Sequence, residues 1–454
     1  MAGKLNPGAG ASAALADFAV RARWEDLSSD VRREAVRSLI NFFATALAGC
    51  RDPALLAAGA VFDDFRAGAA CTVIGRERST DMRHAAALNA MSGNVFDFDD
   101  THIPTIIHPS APVAPAILAL AQTRKVAGRE LLTAFAVGVE VACRLGNAVS
   151  PGHYERGWHI TSTCGVFGAA AAAGRLLGLD ARRMLWALGA ASAQSSGLVE
   201  TLGSMAKSIG VGNASANGLL SALLAARGFE GPAAPIEGPR GFLRVMGDGG
   251  GAQALAEGLG ESWQLMHNTY KPYPCGVVLN PVIEACLALH REEGVRIGEV
   301  LRVELTGHPL LRQRTDRPRP ASGREAQVSA HHAVAVALET GRAGLDEFSD
   351  ASVARLAVQP PGFELVFRDD SAYGVESAGV RLQLRSGAVL EHRVAVARGS
   401  LGTPLSDADL ARKLHELCAW GGSGCDAGPL LDALLSLDGS DDAGALMPLA
   451  AGRE

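Results

Sequence analysis

The sequence predicts a mainly α protein, with a large all-helical domain that carries a smaller inserted α+β lid domain. Three observations lead there. Helical periodicity runs from about residue 12 to 265. Near residue 266 it gives way to segments that alternate apolar and polar residues, LRVELTG (301–307) and VRLQLRSGAVLEHRVAVA (380–397). Helical periodicity then returns in SDADLARKLHELCAW, which opens at Ser406. The expected division is 1–265 helical, 266–402 α+β and 403–454 helical again. At 454 residues the chain is long for one domain. Ala and Gly are abundant and aromatics make up only 5%. That composition suits close-packed helices better than a large β-sandwich.

The elements follow in order. In VRREAVRSLINFFATALAGC the apolar residues Val31, Ala35, Val36, Leu39, Ile40, Phe43 and Leu47 fall at i, i+3/i+4 spacing. This is an amphipathic helix with Ser29 or Asp30 as its expected cap. VAPAILALAQTRKVAG, RELLTAFAVGVEVACRLG, STCGVFGAAAAAGRLLGLD and ANGLLSALLAARGF are apolar over more of their circumference, as buried helices are. In the inserted region the 380–397 segment reads as two strands around a Ser386-Gly387 turn. Between it and 301–307 one helical stretch is expected, SAHHAVAVALETG. The last helix is expected to start on Ser406 or Asp407 as cap.

Composition removes several function classes. Net charge is −6 with no basic block, so nothing points to a nucleic-acid partner. The eight cysteines are scattered with no CxxC pair, which leaves zinc-ribbon and thioredoxin-like readings without their spacing. The start, MAGKLNPGAGASAALADF, has no apolar leader-like core, and no apolar run is expected to reach the length of a membrane span. A reduced cytoplasmic protein with no membrane partner is the resulting expectation. GxSxG, a dinucleotide fingerprint, GxxxxGK[ST] and HExxH are all missing from the sequence.

The polar residues that need a reason cluster in a few places. DFDDTHIPTIIHPS (97–110) follows a helical stretch, so Asp97, Asp99 and Asp100 sit where the helix dipole disfavours negative charge. Pro104 and Pro109 break the helix, and Ser110 can cap the next one. The stretch is open to three readings: a solvated loop whose acids cap a neighbouring helix, a metal site, or a proton-transfer site using Asp97, Thr101, His102 and His108. His159, in RGWHITSTCGVFG, stands beside a helix start, where an imidazole tends to stay neutral and can act as a base. Such a helix start also suits a carboxylate ligand. Lys207, in LGSMAKSIGVGNASANGLL, is a single cation among small residues, able to clamp a carboxylate or deliver a proton. KPYPCGVVLNPVIEA supplies Lys271, Tyr273 and Asn280 at the expected domain seam, with its two prolines favouring an extended course. His331 and His332 open the helix of the inserted domain and diverge by about 100°.

Taken together, DFDDTHIPTIIHPS, GWHITSTCGVFGAAAAAGRLLGLD, GSMAKS with NGLLSALLAARGFEGP, KPYPC and EAQVSAHHAVAVAL resemble the MmgE/PrpD family along nearly the whole chain. That family includes 2-methylcitrate dehydratase, cis-aconitate decarboxylase and iminodisuccinate epimerase. The resemblance implies a helical domain closed by an α+β lid, usually in a homodimer. It implies chemistry on small di- or tricarboxylates without metal or nucleotide cofactor. It places active-site positions on Asp97, Thr101, His108, His159 and Lys207, with His102 as an understudy for His108. Three departures stand out. Asn280 occupies a position where the family usually has histidine. His332 stands where the decarboxylase branch has tyrosine. Gly210-Val211-Gly212-Asn213 replaces a His-Pro-Gly-Arg-like run. These departures favour elimination of the 2-methylcitrate dehydratase type, then epimerisation, then decarboxylation. In the implied mechanism His108 and His159 exchange protons and Lys207 supplies positive charge. Asp97 and Thr101 orient histidine and substrate, and His332 contributes from the lid, with Lys271, Tyr273 and Asn280 near the substrate. A degenerate scaffold that only binds a carboxylate is the reading from another class.

Overall fold

The computed structural model describes residues 10–358 and 362–453. Residues 1–9, part of the stretch read for a leader, lie outside them. The chain forms two compact units. One holds the residues up to 95, 99–268 and those from 407 onward; the other holds 96–98 and 269–406. The second unit thus takes its residues from a short piece at 96–98 as well as from the inserted region.

The first unit is built of helices α1 (Ala11–Arg21), α2 (Ser29–Gly49), α3 (Pro53–Asp63), α4 (Met82–Asn94), α5 (Ser110–Ala121), α6 (Gly128–Val149), α7 (Ile160–Leu176), α8 (Ala181–Ser192) and α9 (Ala206–Ala226). Short polar side chains set the starts. The Ser28 hydroxyl accepts the Val31 N–H at 3.3 Å, so α2 is capped one residue before the expected Ser29. Asp52 caps α3, whose first residue is Pro53. Asp81 caps α4 by accepting the N–H groups of Arg83 and His84.

The centre of this unit is α7, packed between α6 and α9. Its small residues permit close approach. A Cβ on Gly168 would lie 2.5 Å from the Gly138 carbonyl oxygen, and one on Gly218 would lie 2.5 Å from Ala169 Cβ. Nearly every residue of α5 and α7 is buried. Among the described residues α6 and α9 are long and apolar enough to cross a membrane, which corrects the expectation that no run reaches that length. In α6, 89% of the most apolar window is buried inside the unit. α6 also carries a buried ion pair, Glu140–Arg144. Arg144 donates to the Glu257 and Ser262 carbonyls, and Glu140 accepts the Gln264 N–H, so the pair pins the 254–264 segment.

The second unit packs α10 (Asn280–Glu293) and α11 (Ala330–Thr340) with strands β1 (Val300–Gly307), β2 (Glu364–Asp369), β3 (Ala378–Leu384) and β4 (Val389–Val394). The sheet order is β2-β1-β3-β4, with β1–β2 parallel and the other neighbours antiparallel. The expected hairpin forms across Ser386-Gly387, where Gly387 takes φ 92°. Alternation buries Val303 and Leu305 of β1 and Val380 and Leu382 of β3 on the helix-covered face. Three points were not expected. β2 is an added edge strand. α10 continues KPYPC as a helix. Short helices at Pro309–Thr315, Gly323–Ala326 and Asp350–Val358 accompany α11. The chain then rejoins the first unit as α12 (Asp407–Gly421) and α13 (Ala427–Leu435). α12 packs on α2, where Lys413 donates to Asn41 at 2.8 Å and Arg37 pairs with Asp407.

Candidate active site

In the first unit three helix starts meet. The His108 N–H, two residues ahead of α5, donates to the Thr161 hydroxyl in the first turn of α7 at 3.1 Å. Gly210, in the second turn of α9, lies so close to α7 that a Cβ there would be 3.0 Å from Ser162 Oγ. Gly165 of α7 abuts Pro112 of α5. Each helix start brings the positive end of its dipole to this region. His108, His159 and Lys207 stand on these three starts. All three are buried, at 9%, 4% and 8% exposure.

Each is held differently. His108 Nδ1 lies 2.9 Å from Asp99 Oδ1, and Asn94 donates to the other Asp99 oxygen at 2.6 Å. Asp99 is 1% exposed, so its buried carboxylate lies beside the imidazole at ion-pair distance. His159 caps α7 from its backbone. Its N–H donates to the Gly197 carbonyl at 3.0 Å, and its Nδ1 sits 2.8 Å from the Ser162 hydroxyl. Lys207 is the second residue of α9, with a buried side chain.

The acidic run divides its work. Asp100 is fully buried and accepts from Ser110 Oγ at 2.5 Å and from Asn268 at 2.7 Å. Burial first, and then the charge of Asp99, push its carboxyl up to about 6. Asp100 thus takes the helix-start role that one reading gave these acids, and Ser110 gives its hydroxyl to Asp100 instead of capping α5. Thr101 is buried in the short extended segment Asp100–His102. His102 has both ring nitrogens engaged, Nδ1 with Thr105 at 2.7 Å and Nε2 with Gln264 at 3.2 Å. Burial drives it down to about 3, so it is a neutral part of the scaffold. The turn it anchors forces Ile106 to φ 58°, strained for a β-branched residue, and leads directly to His108.

The remaining expected residues belong to the second unit. Asp97, at φ 52°, receives the Lys271 ammonium on both its carbonyl and its carboxylate at 2.9 Å. Lys271 is 2% exposed. Asn280 opens α10, where its side-chain oxygen lies 3.6 Å from Cys275 Sγ. Tyr273 is half-buried against the core of this unit, and burial pushes its phenol up to about 12. His332 Nε2 lies 2.7 Å from the Glu347 carbonyl, and burial lowers its basicity.

Sequence reasoning named Asp99 without a role, because three acids in four residues look interchangeable until the turn geometry separates them. Ser162 stands three residues after His159 in RGWHITSTCGVFG. Its i+3 position on a capped helix was the available signal for this contact. The Gly210–Asn213 run has a packing reason, since a Cβ on Gly212 would lie 2.8 Å from Met91 Cγ of α4.

The MmgE/PrpD N-terminal domain model matches residues 13–254, and the C-terminal domain model matches 273–427. The chain is 27% identical to the cis-aconitate decarboxylase-like protein oryM of Aspergillus oryzae, over 98% of both chains. It is 28% identical to a cis-aconitate decarboxylase of Aspergillus terreus, over 98% of this chain and 96% of the relative. It is likewise 28% identical to the cis-aconitate decarboxylase of Homo sapiens, over 73% of this chain and 72% of the relative. Both family models run through the helical and α+β regions in order, and the chain belongs to the MmgE/PrpD family.

Proposed function

We propose that this protein is a lyase that moves a proton at the carbon α to a carboxylate of a small di- or tricarboxylate. The observation that carries this reading is the meeting of three helix starts bearing Asp99–His108, His159–Ser162 and Lys207. A C–H next to a carboxylate is weakly acidic. Its removal needs a positioned base and positive potential for the enolate-like charge that develops. Asp99 holds His108 for proton transfer, and Ser162 holds His159. Lys207 and the helix dipoles supply the positive potential. In this reading Thr101, buried and near Asp99 in sequence, orients the substrate. Asp97 and Lys271 brace each other in the second unit, which also holds His332, Tyr273 and Asn280.

Within this class the dehydratase-like elimination is our first reading, because His332 stands where the decarboxylase branch has tyrosine. Decarboxylation is the second, favoured by the similarity to cis-aconitate decarboxylases. Epimerisation is the third. Incubation with 2-methylcitrate, cis-aconitate and iminodisuccinate in D₂O, followed by proton NMR, separates them. A new unsaturated product from 2-methylcitrate supports elimination, CO₂ loss from cis-aconitate supports decarboxylation, and exchange with inversion supports epimerisation. A chelator is expected to leave the rate unchanged. If none of the three carboxylates changes, the protein is a carboxylate-binding scaffold.

A further inference from the structure

A second cavity in the helical unit shares no residue with the three helix starts. It is an open cleft of about 500 Å³ lined by Arg51, Arg76, Glu77, Arg78, Ser423 and Arg453, with glycines 75 and 452 between them. Its size suits a small molecule, for which about 300–1,000 Å³ is usual. Arg78 is held by Asp63 at 2.5 Å. The side chains of Arg51, Arg76 and Arg453 have no hydrogen-bond or ion-pair partner among the described residues. In a chain of net charge −6, three guanidiniums with no partner among the described residues face one cleft and repel one another, with Glu77 as the one acid among the lining residues.

Backbone contacts hold these cations in place. A short antiparallel pairing of 71–72 with 79–80 presents residues 75–78 as its turn. The end of the chain lies against that turn. Gly75 N–H donates to the Ala450 carbonyl at 2.8 Å, Gly452 N–H donates to the Arg76 carbonyl at 3.1 Å, and Ile74 bridges to Ala451. Arg453 N–H donates to the Ser423 carbonyl at 2.8 Å. A Cβ on Gly452 would lie 2.6 Å from the Gly75 carbonyl, which shows how closely the two segments approach. Arg76 and Arg453 therefore leave a fixed backbone as neighbours, and Arg51 joins them from the start of α3.

We infer that this cavity is a binding site for a small multivalent oxyanion, a polycarboxylate or a phosphate compound. Both offer several oxygens to the paired N–H groups of guanidinium forks. Isothermal titration at matched ionic strength tests it with tricarballylate, inorganic phosphate and pyrophosphate as probes. The proteins are the wild type, Arg76→Ala/Arg453→Ala, Arg76→Lys and Lys207→Ala. At least one probe is expected to bind, and to lose about 10-fold or more in affinity in the double variant. Arg76→Lys, which keeps the charge without the fork, is expected to fall between. Lys207→Ala is expected to leave this component in place, which separates it from carboxylate binding at the candidate active site. Tricarballylate alone binding assigns a polycarboxylate, and phosphate or pyrophosphate binding assigns a phosphate compound. Absence of binding by every probe, or binding that Lys207→Ala abolishes and the arginine variants leave intact, overturns the proposal. Arg453 is exposed and Arg76 partly so, and unchanged melting of the variants checks that they fold.

Discussion

Removing the charge of Asp99 while keeping its shape isolates what that carboxylate does for His108. Asp99→Asn retains a side chain that can accept from Asn94, but it loses the anion that pairs with the imidazole at 2.9 Å. General acid–base catalysis is worth about 10²–10⁴-fold, and a misheld imidazole forfeits much of it. The variant is therefore expected to lower kcat by about 10²-fold or more, with a smaller change in KM, measured by steady-state kinetics on the substrate that the NMR panel identifies. Asp97 is itself held by the buried Lys271. Residue type and spacing in DFDDTHIPTIIHPS made acid–base chemistry legible. They did not separate three acids that differ only in which way a two-residue shift turns them. Asp100 faces a helix start, Asp99 faces an imidazole, and Asp97 sits at a positive φ beside a lysine.

Helix α9 reaches α7 through small residues, and this packing places Lys207 one turn before Gly210 and Ser162 against His159. Gly210→Ala separates stability from function. Alanine in a helix interior is better than glycine by about 1 kcal/mol, so the melting temperature should hold or rise. Its Cβ would stand 3.0 Å from Ser162 Oγ and displace the hydroxyl that orients His159. Turnover is expected to fall on the order of 10- to 100-fold, read by the same kinetics alongside a thermal melt. A loss of both activity and stability would mean that the glycine serves packing alone. At this scale the helices were readable because buried apolar stripes at 3.6-residue spacing survive any tertiary context. The edge strand β2 and the helical continuation of KPYPC were not. ELVFRD lacks clean alternation, and a Pro at the second position of a helix reads equally well as extended chain.

For the molecule as a whole, buried titratable groups tie stability to pH. His102 is driven down to about 3 when folded, against about 6.5 for a free imidazole. The unfolded chain thus binds the proton first, and the contribution of His102 is complete above 6.5 and lost as pH falls toward 3. Asp100 has the opposite sign. With its carboxyl up at about 6 in the fold, its contribution is complete below 3.8 and lost as pH rises through 6. Denaturant unfolding of wild type and His102→Gln should therefore converge as pH falls below 6.5, by up to about 1.4 kcal/mol per pH unit. Parallel curves would show that His102 titrates alike in both states. The α-rich architecture with an α+β insertion was legible from the change of period near 266. The 96–98 piece that joins the second unit was not, because three residues carry no period of their own. The central claim is that His108 and His159 handle the substrate proton. The most direct test is the rate of solvent-deuterium incorporation into substrate or product, by proton NMR in D₂O, for wild type, His108→Ala and His159→Ala. Exchange by wild type that falls by at least about 10²-fold in both variants, with folding intact by circular dichroism, is the predicted result. Exchange at the wild-type rate in either variant contradicts the account.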